Sequence, residues 1–226
     1  MNSTDRALLE FLEKLVNENR LELLEKVMQD RTRYVTVLLE DIFQPHNASA
    51  VLRTCDCFGI QDVHIIENRN EYVLNPEIEL GSAQWLSIFK HRGNENNTMT
   101  AIESLKKKGY RIVATTPHTG DVNLNEFDLE KGPVALMFGT EMKGLSGEAI
   151  ELADEYLKIP MHGFSESLNI SVSAAIILQT LRMKLNDSDI EWKLKEDEKE
   201  DIRLNWMRNS IRNSTIIERD FKKRYL

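Results

Sequence analysis

A chain of 226 residues with 41% hydrophobic content can bury one substantial core with flanking helices, but hardly two full domains. A net charge of −8 and a pI near 5.3 exclude a protein coated in basic surface, while leaving room for a local basic patch. No stretch approaches the roughly 20 apolar residues of a membrane span, and the acidic, amphipathic start MNSTDRALLEFLEKLV is unlike a signal peptide, so a cytoplasmic protein with no membrane partner is expected.

Residues 4–29 space Leu8, Leu12 and Leu15, then Leu21, Leu24 and Met28, as two short amphipathic helices require. From Tyr34 the pattern changes to short β-rich runs, predicting strands over residues 35–42, 62–68, 85–91, 110–116, 134–140 and 155–161. Helical patterns fall between them at residues 47–58, 98–108 and 146–153, with a long one at 168–185. Strands alternating with helices predict an α/β domain over residues 34–185: a mostly parallel sheet with helices on both faces. Residues 1–33 form an N-terminal helical extension in this reading, and residues 186–226 a C-terminal one, broken and capped at Asn213-Ser214-Thr215. From Arg203 to Leu226 seven Lys or Arg face only Glu218 and Asp220, a local charge of +5 that suits either a solvated helix face or a phosphate-contacting surface. Cys55 and Cys57, one residue apart in a helical pattern, suit neither a disulfide framework nor a zinc site, and are expected as buried free thiols.

Parallel sheets bind ligands at the carboxyl ends of their strands. Three such junctions are rich in small and polar residues: ATTPHTG, FGTEMKGLSGE and IPMHGFSES. The common nucleotide signatures do not fit them. There is no Gly-x-Gly-x-x-Gly, and in Gly139–Ser146 Leu145 stands where a phosphate loop needs lysine. His-Glu-x-x-His and Cys-x-x-Cys are likewise missing, so no metal site is expected.

PHNASAVLRTCDCFGI (Pro45 to Ile60), FGTEMKGLS (Phe138 to Ser146) and IPMHGFSESLNISVSAAIIL (Ile159 to Leu178) resemble the three ordered motifs of the SPOUT RNA methyltransferases, in particular the TrmH group, which methylates ribose 2′-hydroxyls. The resemblance implies a deep C-terminal trefoil knot, an exception to the rule that chains avoid threading loops. It also implies S-adenosylmethionine as methyl donor, S-adenosylhomocysteine as product, no metal, and a homodimer through the knot region. Residue by residue it carries catalysis onto Arg53, supported by Asn47, Glu141, Ser167 and Asn169, and cofactor binding onto Thr115, Gly139, Ile159, Met161, Gly163 and Leu168.

The residue chemistry is compatible with that carry-over. Adenosine is flat and uncharged, and calls for apolar walls and backbone hydrogen bonds; Ile159, Met161 and Leu168 supply walls, while Gly139 and Gly163 let main chain approach closely. Arg53 sits in an otherwise apolar run, and because a guanidinium stays protonated it suits phosphate clamping and oxyanion stabilisation better than general-base work. Ser167 and Asn169 also have the residue types that cap a helix. Glu141 is compatible with orienting a main-chain loop or receiving an RNA hydroxyl.

Helical extensions at both ends of the core resemble the tRNA enzymes that modify guanosine 18 of the D-loop, with another tRNA position, rRNA or a non-catalytic RNA-binding module as the alternatives. Arg20, Arg31, Arg33, His46, Arg208, Arg212, Lys222 and Lys223 are the expected contacts to a tRNA backbone. Val51, Ile176 and Ile177 are candidate dimer apolars, although burial within one subunit would explain them equally well.

Overall fold

The computed structural model describes residues 1–71, 81–117, 120–140 and 143–225. They form two compact units, residues 32–192 and residues 1–31 together with 193–226.

The larger unit is built on seven strands: β1 (Val35–Glu40), β2 (Asp62–Ile66), β3 (Ser87–His91), β4 (Arg111–Thr115), β5 (Val122–Asn123), β6 (Val134–Phe138) and β7 (Glu155–Lys158). They lie in the order β3-β2-β1-β6-β4-β7-β5, every pair parallel. β1, β2, β6 and β7 stop two or three residues short of the sequence expectation, leaving loops at their carboxyl ends, whereas β3 starts two residues late and β4 is one residue shorter at each end. β5 was not expected: two residues carry no periodicity to read.

All six residues of β1 are buried, as a strand covered on both faces requires. Alternate side chains serve two cores. Val35, Val37 and Leu39 join Leu136 and Val113 against α3 (Pro45–Cys57) and α6 (Ile170–Asn186). Leu38 joins Met137 and Ile112 on the other face against α4 (Asn97–Lys107) and α5 (Gly147–Leu152). Helices therefore cover both faces, as predicted. Pro45 occupies the first turn of α3, where its missing N–H costs nothing and its fixed φ favours the helix. Cys55 is buried but Cys57 is exposed, correcting the expectation for the second thiol: two residues along a helix turn the side chain by about 200°, out of the core.

Near one edge of the sheet His64 Nδ1 lies 2.9 Å from His91 Nε2, and the His64 ring stacks on Phe89 with centroids 4.8 Å apart. Burial, then the His91 and Lys108 charges, pushes the His64 imidazole from 6.5 down to about 3. An unfolded histidine titrates near 6.5, so between that value and about 3 the unfolded chain binds more protons than the folded one. Stability is therefore expected to fall as pH drops below 6.5. His64→Phe should flatten this part of the profile in urea unfolding; an unchanged acid slope refutes the assignment.

The smaller unit packs α1 (Ser3–Glu13) and α2 (Glu18–Met28) with α7 (Glu196–Ser210) and α8 (Ser214–Tyr225). Asn2 and Asn17 cap the first two helices through their side chains. Leu8, Leu12, Met28, Ile202 and Trp206 are buried here, and the Phe11 and Phe221 rings lie 5.0 Å apart. The expected break falls at Asn213, whose φ of 59° is the left-handed conformation that asparagine tolerates. Among the described residues no helix is long and apolar enough to cross a membrane.

Candidate functional site

A cavity of about 390 Å³ opens at the carboxyl ends of β4, β6 and β7. Thr115, Gly139, Ile159, Met161 and Leu168 all line it, together with Ser167. Five of the six residues expected to hold a cofactor thus meet in one place, contributed by three separate loops. Gly163 does not line the cavity, and a methyl group added there would meet nothing within 4 Å, so the close-approach argument fails for it.

Gly139 is the opposite case. A Cβ on it would lie 2.1 Å from the Gly144 carbonyl carbon and 2.2 Å from the Leu145 nitrogen. That contact is fixed by backbone: Thr140 N–H donates to Gly144 O at 2.9 Å and Gly144 N–H donates to Thr140 O at 2.9 Å. Gly144 adopts φ 67°, a turn conformation that favours glycine. Glu141 lies outside the described residues.

Asn169 caps α6, its Oδ1 accepting from the Ser171 amide at 2.8 Å, while its Nδ2 donates to Asn47 Oδ1 at 3.1 Å. Asn47 is only 7% exposed in the first turn of α3 and donates in turn to Gln44 Oε1 at 3.2 Å. Two motifs separated by 122 residues are thereby tied through paired amides at the starts of two helices. Of the two candidate caps, Asn169 takes that role and Ser167 faces the cavity. Arg53 lies on the solvent side of α3, outside the cavity lining, and makes no ion pair among the described residues.

The expected RNA contacts divide. His46, Arg212 and Lys223 are exposed, and Arg20 is partly so. Arg31 is a correction: it is 1% exposed with its guanidinium 5.3 Å from the centre of the Trp206 ring, so it belongs to the interior of the smaller unit and offers no phosphate contact. Arg33 pairs with Asp62 at 3.1 Å at the amino ends of the strands, opposite the cavity. Arg208 forks onto both oxygens of Glu218, which also takes Lys222 at 2.9 Å; these hydrogen bonds hold the Glu218 carboxyl below its usual range. The local charge of +5 is thus partly spent on internal pairs. Val51 and Ile177 are core, 0% and 1% exposed, whereas Ile176 is 37% exposed.

Sequence reasoning missed Lys143 and Glu166, the ionisable groups that line the cavity among the described residues. Both sit inside motifs that were read, but periodicity does not tell which way a loop side chain faces. Phe138 and Ile177, read as strand and helix core, also line the cavity. Among the described residues no three potential metal-ligating side chains cluster.

A parallel sheet with a cavity at its carboxyl ends, bounded by the loops after β4, β6 and β7, is a ligand-binding α/β architecture, and the second and third sequence motifs supply two of those loops. Residues 34–179 match the SpoU rRNA Methylase family, and the chain belongs to that family. A tRNA (guanosine(18)-2'-O)-methyltransferase of Borreliella burgdorferi is 44% identical over 92% of this chain and 93% of its own length. The crystal structure of the Aquifex aeolicus TrmH/SpoU tRNA modifying enzyme superposes with a TM-score of 0.76 at 31% identity, covering 87% of this chain and 98% of that one. An AdoMet-bound rRNA methyltransferase from Sinorhizobium meliloti gives 0.59 at 25% identity, over 72% of this chain and 60% of that one.

Proposed function

We propose that this chain transfers a methyl group from S-adenosylmethionine to the ribose 2′-hydroxyl of guanosine 18 in tRNA. The observation that carries the reading is the convergence of the second and third motifs on one cavity, with the first motif tied to the third through Asn47 and Asn169, and with relatives named for that activity matching nearly the whole chain. The chemistry of the lining fits the cofactor. Ile159, Met161, Leu157 and Leu168 offer apolar surface to an adenine, and the Gly139 turn leaves main chain bare beside it. Lys143, on the cavity wall, supplies a cation for the carboxylate of the methionine moiety. When bound, the cofactor supplies an electrophilic methyl group on a sulfonium.

The protein's own part is positioning and charge. The Asn47–Asn169 pair fixes the start of α3, the helix that carries Arg53. The Arg53 guanidinium binds an RNA phosphate and stabilises charge developing on the ribose oxygen as its proton passes to solvent water. His46, Arg212 and Lys223, all exposed, contribute to backbone contacts whose strength falls with salt. The knot belongs to this proposal too: β7 enters between β4 and β5, both earlier in the chain, which supports late threading. So does a homodimer, supported by Val172, Ile176 and Met183, exposed along one face of α6. The protein is proposed to act in the cytoplasm.

Radiolabelled methyl transfer to bulk tRNA and to rRNA, with calorimetry against S-adenosylhomocysteine, tests the reading. Label is expected in tRNA alone, at guanosine 18, and a tRNA with a 2′-deoxy nucleotide there should take none. A folded protein that binds no S-adenosylhomocysteine, or that labels only rRNA, refutes it.

A further inference from the structure

The buried carboxylate of Glu40 touches nothing in the cavity yet is bonded to the loop that forms it. Glu40 ends β1 and is 3% exposed. Its Oε1 accepts from the Thr98 hydroxyl at 2.7 Å and from the Ser146 hydroxyl at 2.7 Å, and its Oε2 accepts from the Ser146 amide at 2.8 Å. Burying a carboxylate is costly unless its oxygens are satisfied, and three donors converging on one acceptor-only group satisfy them. The partners are informative. Thr98 lies in the first turn of α4, and Ser146 is the cap of α5, its hydroxyl passing the chain on by accepting from the Ala149 amide at 3.1 Å. Ser146 directly follows Gly144 and Leu145, which line the cavity and press against Gly139.

We infer that Glu40 is a positioning residue for the cofactor, holding Gly144, Leu145 and Ser146 from behind, against Gly139, in the shape that admits S-adenosylmethionine. This rests on the proposed function. Without the carboxylate, the Ser146 amide and hydroxyl lose their anchor to the sheet. Leu145 and Gly144 are then free to shift relative to Gly139, whose contact with them leaves no slack. Arg53 and the exposed phosphate contacts are untouched by this change, so the effect should fall on cofactor rather than RNA. Glutamine can replace the carboxylate: its carbonyl faces the Ser146 amide, and its NH2 faces two hydroxyls that rotate to accept.

The test is made on the full chain, by calorimetry with S-adenosylhomocysteine and steady-state methyl transfer with each substrate varied in turn. Glu40→Ala is expected to raise the Kd for S-adenosylhomocysteine and the KM for S-adenosylmethionine by about tenfold, the loss of one or two hydrogen bonds to a charged group. The kcat at saturating cofactor and the KM for tRNA should stay within about threefold, and Glu40→Gln should return cofactor binding to within about threefold of wild type. Should Glu40→Ala not fold, Ser146→Ala keeps the amide donor but loses the hydroxyl bond to the carboxylate, and is expected to show the same split at about tenfold. Unchanged cofactor affinity in a folded variant overturns the inference, as does an equal loss in both KM values. Wild-type protein that takes up no S-adenosylhomocysteine overturns the proposed function and this inference together; wild-type uptake beside an unaffected Glu40→Ala overturns the inference alone.

Discussion

Arg53→Ala lowers kcat for methyl transfer to tRNA by about 100-fold or more, while the Kd for S-adenosylhomocysteine stays within about threefold: this is the largest effect expected of any single substitution on the chemistry. The separation follows from placement. Arg53 stands on the solvent side of α3 and outside the cavity, so its removal leaves the cofactor's walls intact. It makes no ion pair among the described residues, so its deletion leaves no carboxylate stranded there. Arg53→Lys divides the two possible roles. Lysine keeps the charge but loses the fork, and it deprotonates far more readily. A clamp and oxyanion role predicts a weak, pH-flat lysine variant; a rate that climbs steeply with alkaline pH would show a base instead.

Gly139→Ala should abolish cofactor binding, with a Kd increase of about 100-fold or more, because the added carbon has nowhere to go. The atoms it would strike, at 2.1–2.3 Å, are main chain, not the flexible end of a side chain. They are also held in place, by the mutual bonds between Thr140 and Gly144 and by the Ser146 amide on Glu40. The turn must open, and it opens into or away from the cavity it lines. Calorimetry with S-adenosylhomocysteine checks this directly, and wild-type affinity in Gly139→Ala would refute the described turn. Gly163→Ala makes the natural control, since its added carbon meets nothing within 4 Å.

These two glycines show what the sequence could and could not disclose. Both stand in polar loops after strands, and composition treats them alike; only the neighbouring backbone of Gly144 makes one indispensable. The strands of the central sheet were legible because a strand covered on both faces is written as a continuous apolar run, as in Val134–Phe138. β5 was not, because its two residues are held by pairing with β7, a contact made far along the chain. Arg31 looked like a phosphate contact because charge is counted locally, whereas its ring partner, Trp206, lies near the other end of the sequence. The cofactor loops were found together because their residue types and order are specific, while the positions of Lys143 and Glu166 depend on loop conformation and left no pattern.

The smaller unit joins residues 1–31 to residues 193–226, and this has a consequence during synthesis. The first two helices leave the ribosome before any of their eventual partners exist. Leu8, Leu12 and Met28 must stay exposed to the cell until the remainder of the polypeptide, including the whole parallel sheet, has been translated. Residues 1–31 are therefore natural clients for chaperones that shield apolar helices, and they complete their fold only once residues 193–226 have been made.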